Sequence, residues 1–138
     1  MNRNDLQRMS RMRFEDAGTL LKSGRYAAAY YLAGYSIECA IKACIARQVK
    51  RYEFPDKGLV DRAYSHDLEK LIGVAGLATA LKSDTKANKN LDLNWAAVKD
   101  WNTSIRYNVN VSRSQAEDFC SACFGRRDGV LSWVKKRW

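Results

Sequence analysis

The stretch from Tyr26 to about Val49 restricts the fold more than any other part of the chain. Its middle, AAAYYLAGYSIECAIKACIA, has Glu38 and Lys42 as its only charges and is apolar on most of a helix's circumference. A surface helix needs one apolar stripe, whereas a helix apolar nearly all round has to be covered on most sides. The stretch therefore predicts the buried centre of a helical bundle, and the remaining segments have to supply the cover.

Those segments also read as helices. From Asn4 to Lys22, Leu6, Met9, Phe14, Ala17, Leu20 and Leu21 fall close to helical period, Arg8, Arg11 and Glu15 take the wet side, and Gly24 ends the run. After the central helix, Arg47, Lys50 and Arg51 form a basic irregular stretch, and Pro55, Asp56 and Gly58 read as turn chemistry. Ser65 ahead of HDLEKLIGVAGLATAL predicts a capped third helix carrying Leu68, Leu71 and Ile72. KSDTKANKN has little to bury and reads as a mobile loop, followed by a fourth helix from Leu91 to Thr103 with Trp95, Val98 and Trp101. A last helix opens at Ser114, with Glu117 completing a capping box, and runs nearly to Trp138. Phe119, Cys123, Val130 and Trp133 share one stripe of it, with Arg126 in the middle. With no β-alternating run and no internal repeat, the expectation is an all-α single domain over residues 1–138, an antiparallel up-and-down bundle of about five helices.

Lys and Arg number 24 against 15 Asp and Glu, a formal charge of +9, and a field of that sign attracts phosphates, anionic membranes or acidic proteins. No apolar run approaches the roughly 20 residues that cross a bilayer. The opening MNRNDLQRMSRMRF has no secretory pattern, so a reducing, cytoplasmic setting and no membrane partner are expected. Cys39, Cys44, Cys120 and Cys123 lie in helical patterns, where free cysteine is usually a small buried hydrophobe. Only Cys120 and Cys123 have ligand-like spacing, so no metal is expected, and without a Gly-rich phosphate loop no cofactor is either.

Three places could carry chemistry. Tyr31, Tyr35, Glu38 and Lys42 recur at helical spacing as one polar stripe on the central helix. Glu38 either pairs with Lys42 on its own helix or receives Arg126 or Arg106 from another to shape a basic cleft. Trp101, Arg106 and Tyr107 bring a guanidinium and two rings to one junction, a combination that grips phosphate and stacks on a base. The bland reading makes the two rings core residues and Arg106 a surface charge. His66, the sole histidine, is the one side chain titrating near neutrality without large perturbation, although at a helix start it could simply bond locally.

The stretch FEDAGTLLKSGRYAAAYYLAGYSIECAIKACIA, then SHDLEKL and WNTSIRYNV, resembles HEPN domain proteins from about Phe14 to the last helix. The match rests on Gly24, Arg25, Tyr26, Leu32, Ala33, Gly34, Tyr35, Glu38, Lys42 and Ala43, on His66, Leu68 and Leu71, and on Arg106 and Tyr107. The resemblance implies a helical bundle that forms a homodimer with facing basic clefts. It also implies a nucleotide- or RNA-binding role within a toxin–antitoxin or defence-type module, with a nucleotidyltransferase-type partner protein. Expected ligand contacts are Arg106, Tyr107, Tyr35, Glu38, Lys42, Trp101 and Arg126. The RNase branch of the family places a histidine four to six residues after its arginine. Here YNVNVSR comes after Arg106, so a metal-independent endoribonuclease, the alternative reading, would have to use Arg106 with the distant His66.

Overall fold

The computed structural model describes residues 1–49, 53–54 and 56–138, and these contain eight α-helices, one 3-10 helix and no strand. The helices are α1 (Arg3–Lys22), α2 (Tyr26–Ala46), α3 (Lys57–Ala63), α4 (Leu68–Val74), α5 (Ala78–Ala87), α6 (Lys89–Val98), α7 (Arg113–Phe124) and α8 (Val130–Lys135). The 3-10 helix spans Thr103–Tyr107 between α6 and α7. The all-helical expectation holds, but the count of about five does not, because two expected long helices are each broken in two and the stretch after the central helix holds a further one, α3.

The α1–α2 hairpin is the frame. Asn2 and Asp5 form a capping box at the start of α1. At its end Gly24 adopts φ +76°, a left-handed conformation that glycine reaches without a Cβ penalty. Gly24 N–H donates to Leu21 O and Arg25 N–H to Leu20 O, the paired bonds of a Schellman turn, and the chain reverses directly into α2. Ala17 on α1 and Ala29, Ala33 and Ala40 on α2 are fully buried, and such small side chains let the two helices approach closely. Ser10 Oγ donates to Ser36 O and Ser36 Oγ to Ser10 O, each at 2.8 Å, so two buried hydroxyls are satisfied reciprocally.

The remaining face of α2 is covered as its composition requires. Ile37 and Ile41 have no exposed surface and join one core cluster with Leu68 and Leu71 of α4, Phe119 and Cys123 of α7, and Val130 and Val134 of α8. Each fully buried aliphatic side chain of this kind contributes about 1.5–3 kcal/mol. All four cysteines are buried and free, as expected.

The departures from expectation have local causes. Asp56 is not merely a turn residue, since its carboxylate caps α3 by accepting from Leu59 N–H. Lys50, Arg51 and Pro55 lie outside the described residues. The cap of α4 is Asp67 rather than Ser65, whose hydroxyl instead accepts from Asp67 N–H. HDLEKLIGVAGLATAL does not make one helix, because Gly76 at φ +72° closes a second Schellman turn that separates α4 from α5.

KSDTKANKN is no loop: it completes α5 and opens α6, with Asn88 capping α6 through Leu91 N–H. What this polar run lacks in apolar surface it recovers at Asp84, which accepts from Trp133 Nε1 at 2.8 Å and from Arg137 at 3.0 Å. The fourth helix ends at Val98, so Trp101 lies beyond it. The helix after the 3-10 turn is capped by Ser112 and Gln115, not by Ser114 and Glu117, and Glu117 pairs with Arg113 instead. This helix does not continue to Trp138. Gly125 and Gly129 interrupt it, with Gly129 N–H bonded to Gly125 O, and a Cβ on Gly129 would lie 2.4 Å from backbone atoms of Gly125. Among the described residues no helix is long and apolar enough to cross a membrane.

Trp101 closes the core by lying on α2 at Gly34, where an added Cβ would come within 2.1–2.3 Å of the indole ring. Replacing an interior helical glycine by alanine ordinarily gains about 0.5–1 kcal/mol. Here overpacking costs about 1–3 kcal/mol and outweighs that gain. Gly34→Ala is expected to lower the urea midpoint by an amount equal to about 1–2 kcal/mol. A midpoint equal to or above that of the parent would contradict the tight seat.

Candidate functional site

Helical spacing places Tyr31, Tyr35, Glu38 and Lys42 along one side of α2, around the one buried charged side chain among the described residues. Glu38 is 2% exposed. Its Oε1 accepts from Lys42 Nζ at 2.9 Å and lies 2.8 Å from His66 Nδ1, while Oε2 is buried without a partner among the described residues. The intrahelical reading of Glu38 is thus correct. The alternative is not: neither Arg106 nor Arg126 pairs with it, and the second partner is the histidine.

His66 reaches α2 because the helix after it is anchored. Asp67 caps α4, and Leu68 and Leu71, both fully buried, fix that helix against the core, which holds the preceding residue beside Glu38. An ionised carboxylate only accepts, so Nδ1 carries the hydrogen in this contact. In the neutral ring Nε2 is then an acceptor, on a side chain that remains 53% exposed.

The cluster opens into a groove of about 760 Å³ between the start of α1, α2, and α3 with the chain just beyond it. Tyr35, Glu38, Lys42 and His66 line one part of it, and Arg3 and Arg47 also contribute. Its apolar lining comes from residues such as Leu6, Met9, Ile45 and Val60. Sequence reasoning named Arg47 only as part of a basic stretch and did not single out Arg3 or the Ser10–Ser36 pair, since charged and small polar residues carry no local signal of where other elements will lie.

Arg106 and Tyr107 occupy the 3-10 helix and both face solvent, Tyr107 being 73% exposed. The guanidinium sits over the Tyr107 ring at 4.8 Å. Neighbouring Tyr107 and Tyr31 hydroxyls raise its pKa above the ordinary arginine value. Tyr31 in turn stacks near Tyr35 and Trp101, with ring centroids 6.2 and 5.8 Å away. Arg106 is thus next to Tyr31 and His66 next to Glu38, and Tyr31 and Glu38 are seven residues, about 10 Å, apart along α2.

Two expected ligand contacts do not belong with these. Trp101 is 2% exposed and packed on Gly34, so its faces serve the core and offer no platform to a base. Arg126 is exposed in the break between α7 and α8 and lines a separate cleft between α1 and α7. The thiols are set for packing as well: burial pushes Cys39 up to about 12, Cys44 and Cys120 up to about 11, and Cys123 well above the usual value, so all are protonated at neutral pH.

Removing Glu38 leaves Lys42, 19% exposed, beside an apolar wall with no counter-charge. Breaking a fully buried ion pair costs about 3–5 kcal/mol, and the access of Lys42 to water reduces this, so Glu38→Ala is expected to cost about 2–3 kcal/mol in denaturant unfolding. A loss below about 0.5 kcal/mol, the scale of a surface pair, would show that the cluster is not held as described.

No curated protein and no solved structure matches the chain. A family model described as HEPN domain matches residues 4–137, nearly the whole chain. The helical frame, the Glu38–Lys42–His66 cluster and the Arg106–Tyr107 corner all lie within that match, and the chain belongs to the HEPN domain family.

Proposed function

We propose that this chain is a nucleotide- or RNA-binding HEPN module in which Arg106 contacts phosphate and Tyr107 contacts base or ribose. The observation that carries the reading is the exposed Arg106–Tyr107 pair, a cation and an aromatic ring side by side. A guanidinium offers a fork of donors to phosphate, and an exposed ring offers a stacking face worth about 1–3 kcal/mol per base. The charge balance supports it. Among the described residues Arg13, Lys42, Arg113 and Arg137 pair with carboxylates, and since each pair cancels one charge of either sign, the whole excess of +9 remains. Membership of the HEPN family supports a nucleotide- or RNA-related role. In this reading the module works in the cytoplasm as a homodimer, as half of a toxin–antitoxin or defence-type pair with a nucleotidyltransferase-type protein.

Binding of a short RNA is expected to weaken linearly in log affinity against log salt, and Arg106→Ala to weaken it and flatten the slope by about one phosphate contact. Affinity insensitive to salt and to Arg106→Ala would rule the reading out.

One observation favours a second reading, metal-independent RNA cleavage. Glu38 holds His66 through Nδ1 and leaves Nε2 as a proton acceptor, the arrangement of an oriented general base. Within one chain Arg106 lies beside Tyr31 and His66 beside Glu38, residues two helical turns apart on α2, so the arginine would have to come to the same scissile phosphate by substrate span or from a second copy. Incubation with RNA in excess chelator is expected to give fragments that His66→Ala abolishes. Intact RNA under those conditions eliminates cleavage and leaves binding untouched.

A further inference from the structure

We propose that the groove between α1 and α7 is where two copies of this chain meet, each seating its α1 antiparallel in the groove of the other and crossing at Gly18. The contact presupposes the homodimer read above but not its binding of RNA.

This groove lies on the side of α1 away from Glu38. Gly18 lines it, whereas Met9 lines the groove beside Glu38, and nine residues are two and a half turns, which puts the two on opposite sides of the helix. Its volume is about 860 Å³. The two helices run antiparallel along it. At one end the Phe14 and Phe124 rings meet edge to face at 4.7 Å, and at the other Arg113, which opens α7, is within electrostatic range of Tyr26, just past the end of α1. Phe14 remains 40% exposed, and Leu21 and Phe124 are only partly buried, so the walls present apolar surface that the chain itself leaves uncovered. An added Cβ at Gly18 would meet nothing within 4 Å, so the middle of the groove is open to another backbone.

The charges on the rim decide what fits. Glu15 and Arg126 stand at the Phe14 end, and Lys22 and Glu117 at the other. The rim is therefore balanced, in a molecule with an excess of +9. A phosphate backbone or an acidic helix would meet two carboxylates, and a basic helix two cations, so a partner of uniform sign is mismatched along half of the groove. A second copy turned end for end is matched throughout. Glu15 and Lys22 are two turns apart on one face of α1, equidistant from the Gly18–Thr19 peptide. Antiparallel pairing centred there places Glu15 opposite Lys22 of the second copy and, by symmetry, Lys22 opposite Glu15 of the second copy. Parallel pairing would oppose like charges. Along α7 the same turn sets Glu117 against Arg126. Among the described residues Glu15, Lys22 and Arg126 make no ion pair within the chain, and Glu117 makes only the exposed one with Arg113. Since Tyr35, Glu38 and Lys42 line the opposite groove, they stay open on both copies, so that the two basic clefts point away from each other instead of facing.

The test is sedimentation velocity on the full chain without RNA, from about 1 to 100 μM, where a monomer–dimer equilibrium is expected. Glu15→Lys, Lys22→Glu and Gly18→Trp are each expected to raise the dimer dissociation constant about tenfold or more, because symmetry makes each substitution act twice. Glu15→Lys combined with Lys22→Glu is expected to bring it back to within about threefold of the parent. Glu15 and Lys22 are exposed, so circular dichroism of the reversals is expected to match the parent, and rescue by the combined variant has no explanation in a folding defect. A chain that stays monomeric throughout overturns this contact and the homodimer together and leaves RNA binding standing. A dimer indifferent to all three single substitutions overturns the contact alone. Single reversals that weaken the dimer with no rescue in the combined variant overturn the antiparallel arrangement.

Discussion

Covering α2 on nearly every side constrains everything else in this molecule. Once Ile37 and Ile41 have no exposed surface, α1, α4, α7 and α8 must each present an apolar face to the same rod, and their positions are set by its circumference. Small residues on the α1 side, alanines and two serines, let one neighbour come close. Glycine at position 34 lets an indole do the same on another side. The fold is thus arranged around a helix whose side-chain sizes decide how near each neighbour comes.

The one exception on that rod is where the chemistry collects. A carboxylate inside a helix of this kind has to be compensated, and Glu38 gathers an ammonium from its own helix and an imidazole from another. The cost of burying it is offset by the ion pair with Lys42 and the hydrogen bond from His66, which gives His66 a defined orientation despite its exposure to solvent. Arg106 and Tyr107 have no such compensation: they project from a short 3-10 turn, with the guanidinium over the neighbouring ring. One end of the stripe is built into the core, and the other stands on the surface.

How much of this was legible in the sequence depended on the range of the interaction. The central helix, α1 and the α2 stripe come from periodicity, because spacing alone places Tyr31, Tyr35, Glu38 and Lys42 together. The breaks at Gly76 and at Gly125 to Gly129 were harder, since glycine inside an apolar pattern is compatible with both a continued helix and a turn. The helical state of KSDTKANKN was beyond local reading, because Asp84 is held by Trp133 and Arg137 from the far end of the chain. In the site, residue types pointed to His66 and Glu38 separately, but their contact spans 28 positions and depends on α4 packing. Trp101 misleads for the same reason: an aromatic residue next to Arg106 looks like a ligand platform until Gly34 is seen beneath it.

The reciprocal bonds between Ser10 and Ser36 have an effect some distance from where they form. A slide of α1 along α2 would strip two hydroxyls and two carbonyls of their partners in an apolar interior, so the pair works as a register pin. Arg3 lies seven residues, about 10 Å, before the pin on α1, and Arg47 eleven residues beyond it on α2. The relative height of α1 and α2, and so of the residues that both helices bring to the groove, is therefore set in the core, by two of the smallest polar side chains the protein has.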